Sequence, residues 1–301
     1  MADNLSHIVE SYEAERLATG FRFTEGPVWH PDGHLLFVDI PPNQILRLIP
    51  GGEPEVVREN SGASNGLTFD LQGRLIICEG GNRRVTRMEA DGTYTPIAER
   101  WEGKRLNRPN DVVGRSDGST YFTDPAGGLE PSEKELDFTG VHRIAPDGTV
   151  TAVVRDFENP NGLAFSPDES ILYINNTRSE MYIKAFDVQP DGSLANGRVF
   201  ANMGMEVPEK PGERPSGVIG SLNGVPDGMK VDVEGNVYCT GPGGHWVFDR
   251  SGNHLGVIQL PELPSNCAWG GPENRTMFFT CRTSVYAIRM KISGTSVPRA
   301  V

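Results

Sequence analysis

The chain has no long apolar run, no basic run, and no cysteine pair at CxxC or CxxH spacing. Each absence excludes something. No stretch approaches the ~18 consecutive apolar residues of a transmembrane helix. With 28 Lys and Arg against 40 Asp and Glu, and a net charge of −12, nucleic acid is not an expected partner. The four cysteines, Cys78, Cys239, Cys267 and Cys281, lack zinc-ligand spacing. Three of them stand in apolar strand-like runs and read as reduced core thiols. The opening segment, MADNLSHIVESYEAERL, lacks the apolar stretch of a secretory signal. A soluble, cytoplasmic protein without a membrane partner is expected. Ser61, Ser64 and Ser265 have no nucleophile-elbow context, which argues against a serine hydrolase.

Gly and Pro are plentiful, at 36 and 23, as many short strands joined by tight turns require. Six times a turn ending in Glu, Asn or Asp leads into alternating apolar residues. These six are Glu25, Asn65, Asn110, Asn161, Asp227 and Asn266, separated by 40, 45, 51, 66 and 39 residues. That period is typical of propeller blades. Each unit continues with a Gly-, Asp- or Asn-containing turn, a second strand, a third strand and, in five units, a fourth. The expected fold is all-β: a six-bladed β-propeller of four-stranded blades, forming one domain over residues 1–301 with repeats from about 22 to 292. The missing sixth outer strand is expected from the N-terminal segment, within residues 12–23, closing the ring without a free edge. Residues 125–139 and 202–225 break the period and are rich in Gly, Pro and charge. Both read as lids over a pocket.

Equivalent positions of a propeller converge on its axis. The six polar residues should therefore form a ring on one face. Two are carboxylates, four are amides, and no Cys or His joins them. Such an all-oxygen set suits a hard divalent cation. Ordinary turn chemistry explains Asn65 and Asn266 adequately. It explains Glu25 poorly, because Glu is not a turn residue. His245 reads as a packed or rim histidine, and His142 as structural. Asp111 reads as a support for Asn110. Asp39, Asp124, Asn175 and Asn176 end second strands and read as turn caps.

Nearly the whole chain resembles the gluconolactonase / senescence marker protein / regucalcin-like family of six-bladed propeller lactonases. The resemblance rests on EGPVW at 25–29, LLFVDIP at 35–41, RPNDV at 108–112, YFTDP at 121–125, NGLAFSPDE at 161–169, PDGMKVD at 226–232, GPGGHWVFD at 241–249 and AWGG at 268–271. The last two segments are more similar to bacterial gluconolactonases than to the animal proteins. The resemblance implies one divalent ion held by Glu25, Asn161 and Asp227, with Arg108 and Asn110 contacting substrate. Ca²⁺ is the first choice, and Zn²⁺, Mn²⁺ or Mg²⁺ the alternatives. Bacterial relatives often carry an aromatic after the TDP motif, where this chain has Ala126-Gly127-Gly128. A lid-borne acid also contacts substrate in some relatives, and Glu135 and Asp137 are the candidates.

The expected activity is metal-dependent opening of a lactone ester, foremost a sugar aldonolactone. The metal would polarise the carbonyl. Asp227 would act as general base, with metal-bound hydroxide as the rival nucleophile. The alternatives are a propeller hydrolase of another ester, such as a phosphotriester or an aromatic lactone, and a calcium-binding propeller without turnover.

Overall fold

The structure is a computed structural model and describes residues 5–204 and 224–297. Short alternating runs, punctuated by tight turns, pair as antiparallel strands. They form six four-stranded sheets, five of them ordered along the chain from the axis outward. The inner strands are Thr24–His30, Ser64–Phe69, Val112–Gly114, Pro160–Phe165, Met229–Val231 and Asn266–Gly270. The last blade takes its outermost strand from the N-terminal side: Glu15–Thr19 pairs antiparallel with Ser284–Arg289, Glu15 opposite Ala287 and Thr19 opposite Ser284. The ring thus closes by hydrogen bonds between the chain's two sides, inside the expected segment.

Helix is confined, among the described residues, to two short 3₁₀ turns, Pro131–Glu133 and Pro272–Asn274. A small hairpin, Arg100–Trp101 with Lys104–Arg105, is an unforeseen addition. Also unforeseen is the first turn of chain, where Leu5, Ile8 and Val9 are fully buried. They join Tyr238, Phe279 and Ile288 in one cluster, and Val9 bridges to Met290. The sequence there is polar on average but apolar at the three positions that face inward.

The core lies between blades. Leu35 and Phe37 of the first blade meet Phe278 and Val285 of the last. Tyr121 and Val141 of the third meet Leu163 and Phe165 of the fourth. Each such burial contributes ~1.5–3 kcal/mol, so no blade is stable without its neighbours.

At the axis the repeat has a steric purpose. The residue after the ring position is Gly in four blades: Gly26, Gly66, Gly162 and Gly228. A Cβ on Gly26 would lie 1.9 Å from the Asn65 carbonyl oxygen, and one on Gly228 would lie 1.9 Å from Asn266 Cγ. Neighbouring inner strands touch here, and Gly66 N donates to Asn110 O at 2.7 Å. The glycines of four blades let neighbouring strand starts come together, so the ring side chains share one small space.

Candidate metal centre and substrate pocket

Glu25 sits at the start of the first inner strand and is 1% exposed. Its Oε2 accepts from Gly26 N at 2.7 Å and from Asn266 Nδ2 at 2.9 Å. Asn266 Oδ1 accepts from Cys267 N at 2.8 Å, which fixes which end of its amide faces Glu25. Asp227 comes next to Glu25, close enough for the two carboxyl groups to act on each other, and Asn161 stands beside Asp227. The ring residues implied as metal ligands are therefore brought together.

Two carboxyls cannot both ionise in this space without a cation. Burial pushes Glu25 up to about 7, with Asp111 adding to the rise and the Gly26, Asn266 and Lys230 groups opposing it. Burial, then Glu25 and Asp111, push Asp227 well above the ordinary carboxylate range, while Asn161 pulls it down. The structure itself thus shows a buried, oxygen-only donor set whose acids are not fully balanced by the nearby cation, Lys230. No group of three or more Cys, His, Asp or Glu is arranged as a metal site among the described residues. The donors that converge are two carboxylates and an amide, which fit a hard divalent ion.

Several supports were read differently from sequence. Asn266 is no mere turn residue, since it orients Glu25. Asn175 was read as a turn cap, yet its Nδ2 donates to Asp227 O at 2.7 Å and its Oδ1 accepts from Gly162 N at 3.2 Å. It props both halves of the cradle at once. No local pattern distinguishes Asn175 from its neighbour Asn176, which does cap, accepting from Asn159 N at 2.8 Å. Asp39 caps as expected, accepting from the Phe23 N–H at 2.8 Å just before Glu25. Asp111 is buried and accepts from Val112 N at 2.8 Å, and its Oδ2 has no partner.

Beside the cradle lies a pocket of about 190 Å³, lined by Arg108, Asn110, Asn159, Asn161 and Arg178 among others. Asn110 N donates to Thr123 O at 2.9 Å, which sets the start of its strand. Arg83 holds the loop before Arg108, its Nε donating to Leu106 O at 2.7 Å and its Nη1 to Glu133 O at 2.8 Å. Arg108 Nη1 donates to Gly127 O at 2.9 Å. Arg178 was missed from sequence, because nothing in TRSE marks it as facing a site. A second cavity, about 150 Å³, opens at the other ends of the inner strands and holds none of the six ring residues.

The first lid is only partly a lid. Pro125 and Gly127 line the pocket. Glu135 turns away, accepting from Arg105 N at 2.7 Å and pairing with Arg100 at 3.5 Å. Asp137 is exposed and does not line the pocket. Most of the second lid, residues 205–223, lies outside the described residues. His245 and His142 are buried away from the pocket, packed on Phe279 and Phe122. All four cysteines are free and buried. Ser265 donates to Thr24 O at 2.6 Å, a structural bond.

This is a six-bladed propeller carrying an oxygen-only acidic cradle at one mouth of its axis. The chain belongs to the family described as SMP-30/Gluconolactonase/LRE-like region, whose model matches residues 23–283. It is 31% identical to a gluconolactonase of Zymomonas mobilis, over 93% of this chain and 82% of that one. It is 30% identical to a pentonolactonase of Haloferax volcanii, over 87% and 82%. Its fold matches the solved structure of a gluconolactonase from Xanthomonas campestris with a TM-score of 0.81 and 32% identity, covering 96% of this chain and 93% of that one.

Proposed function

We propose that the protein is a lactonase that hydrolyses a sugar aldonolactone and requires one divalent cation, Ca²⁺ first, held by Glu25, Asn161 and Asp227. The observation that carries this is the closeness of Glu25 and Asp227, two buried carboxyls beside a pocket lined by Arg108 and Asn110. The sugar-lactone relatives support the substrate class.

The cation, when bound, supplies a Lewis acid that polarises the lactone carbonyl. Asp227 is the general base: its carboxylate takes a proton from the water that adds to the carbonyl carbon. The ring C–O bond then breaks, and that proton passes to the departing ring oxygen. The product is an open-chain hydroxy acid, which ionises and acidifies the medium. Arg108 and Asn110 hold substrate hydroxyls and fix the ring over Asp227. Asn266 and Gly26 N–H keep Glu25 in one orientation.

The test is acidification with glucono-1,5-lactone, with and without EDTA. Chelation abolishes turnover and added Ca²⁺, Zn²⁺, Mn²⁺ or Mg²⁺ restores it. Chelator-insensitive turnover would remove the metal, and no acidification across a lactone panel would remove the lactonase.

A further inference from the structure

The Ala126-Gly127-Gly128 step makes room for the Arg108 guanidinium and lies beside that of Arg178. Gly128 adopts φ +80°, and a Cβ on it would lie 2.4 Å from Arg108 Nη1. A side chain at 128 would push the Arg108 head aside. A Cβ on Gly127, one residue earlier, would lie 3.8 Å from Arg178 Nη2. The two arginines come from different blades, one before the third inner strand and one after the second strand of the fourth blade. Both line the substrate pocket, with Arg178 exposed.

Neither guanidinium makes an ion pair among the described residues. Arg108 donates to a single carbonyl, and no hydrogen bond to Arg178 is seen. A guanidinium carries five N–H donors, so most of this capacity points at no protein acceptor. Among the described residues, no acidic side chain lines the pocket. That is unusual on a chain with a net charge of −12. Two guanidinium forks on one pocket wall, neither in an ion pair among the described residues, suit a planar or tetrahedral oxyanion.

We propose that the pocket is built for a lactone bearing an anionic group, a carboxylate or a phosphate, remote from its carbonyl. Arg178 is the specificity-determining residue that grips this group, with Arg108 shared between it and the ring. The inference rests on the lactonase reading above and narrows it from sugar lactones to acidic sugar lactones.

The experiment compares glucono-1,5-lactone, which is neutral, with a glucarolactone (carboxylate) and 6-phosphoglucono-1,5-lactone (phosphate). The wild-type enzyme has a kcat/KM at least about tenfold higher for one of the acidic lactones, and which one identifies the oxyanion. Arg178→Ala raises KM for that lactone about tenfold with little change in kcat, and leaves the neutral lactone within about twofold. Arg178→Lys recovers part of the loss. Equal kcat/KM for neutral and acidic lactones in the wild type, or an equal loss for both in Arg178→Ala, overturns the proposal. Calorimetric titration with 6-phosphogluconate, glucarate and gluconate separates it from the lactonase reading. Tighter binding of glucarate or 6-phosphogluconate than of gluconate, lost in Arg178→Ala, supports the anion site even if no lactone is hydrolysed. Equal binding of all three sinks the anion site alone.

Discussion

Asp227 bears two duties in the proposed site, and a single substitution separates them. Asp227→Ala is expected to lower kcat by ~10³ or more, because both a ligand and the base are lost. Near-wild-type kcat would remove Asp227 from the mechanism. Asn266→Leu leaves the acid pair but frees Glu25, and cation affinity measured by chelator competition should fall ~10–100-fold. The acid pair also has a signature in stability. Glu25 is pushed up to about 7 by burial, and Asp227 also lies well above its ordinary value. The folded metal-free protein therefore holds protons that the unfolded chain releases above the ordinary carboxylate range. The sign follows: stability is present at low pH and is lost as pH rises through about 7. In EDTA, the melting temperature should fall between pH 5 and 7.5. Saturating Ca²⁺ should abolish that fall, leave the opposite slope set by the buried histidines, and release protons on binding. Identical pH profiles in EDTA and in Ca²⁺ would mean that the two buried carboxyls are not held protonated in the metal-free fold. Glu25 and Asp227 were legible in the sequence, because a Glu and an Asp stood out from a series of amides. Asn266, Asn175 and Arg178 were not, since their roles depend on partners 241, 52 and 51 positions away or more.

At the scale of the element, what joins one blade to the next is partly polar. Glu79 ends the second strand of its blade and is fully buried. It accepts from Arg58 at 2.6 Å, Arg84 and Asn82 at 2.7 Å, and Thr86 at 2.8 Å. Arg58 belongs to the outermost strand of the preceding blade, Glu55–Arg58, and stacks over Tyr94 at 3.8 Å. Burial alone would raise Glu79, but the Asn82, Arg58, Arg84 and Thr86 bonds outweigh it and hold the carboxylate low. Glu79→Ala strands the Arg58 guanidinium, and a loss of about 3 kcal/mol is expected in urea unfolding. A change below about 1 kcal/mol would show that the network is solvent-relaxed. Strand order and blade count followed from the repeat, because alternation and turn residues act locally. The Arg100–Trp101 hairpin and the buried Leu5, Ile8 and Val9 did not, because they belong to no repeat.

The whole molecule carries buried neutral histidines that limit its acid stability. Burial pulls His245 down to about 3, with Lys230 adding to the fall, and both ring nitrogens lack partners. The unfolded chain binds a proton there from about pH 6.5 downward, so stability falls as pH drops below that value. With Ca²⁺ saturating, the urea midpoint should decline from pH 7 to pH 5, and His245→Phe should flatten part of that decline. An unchanged slope would show that His245 is not the group being forced to protonate. No helix among the described residues is long and apolar enough to cross a membrane.

The amino-acid sequence by itself determined the six-fold period, the closing outer strand and the polar ring, since each is written as a local pattern of turn, alternation and X-Gly. The tertiary structure alone decided how unequal that ring is. Only packing puts Glu25 against Asp227 and Asn266 behind Glu25, because inner strands from distant parts of the chain meet at glycines with no room for a side chain. It also decided the pocket wall, where Arg108 and Arg178 converge on two glycines from separate blades. Convergence of that kind is a property of the closed disc and has no counterpart in any one repeat.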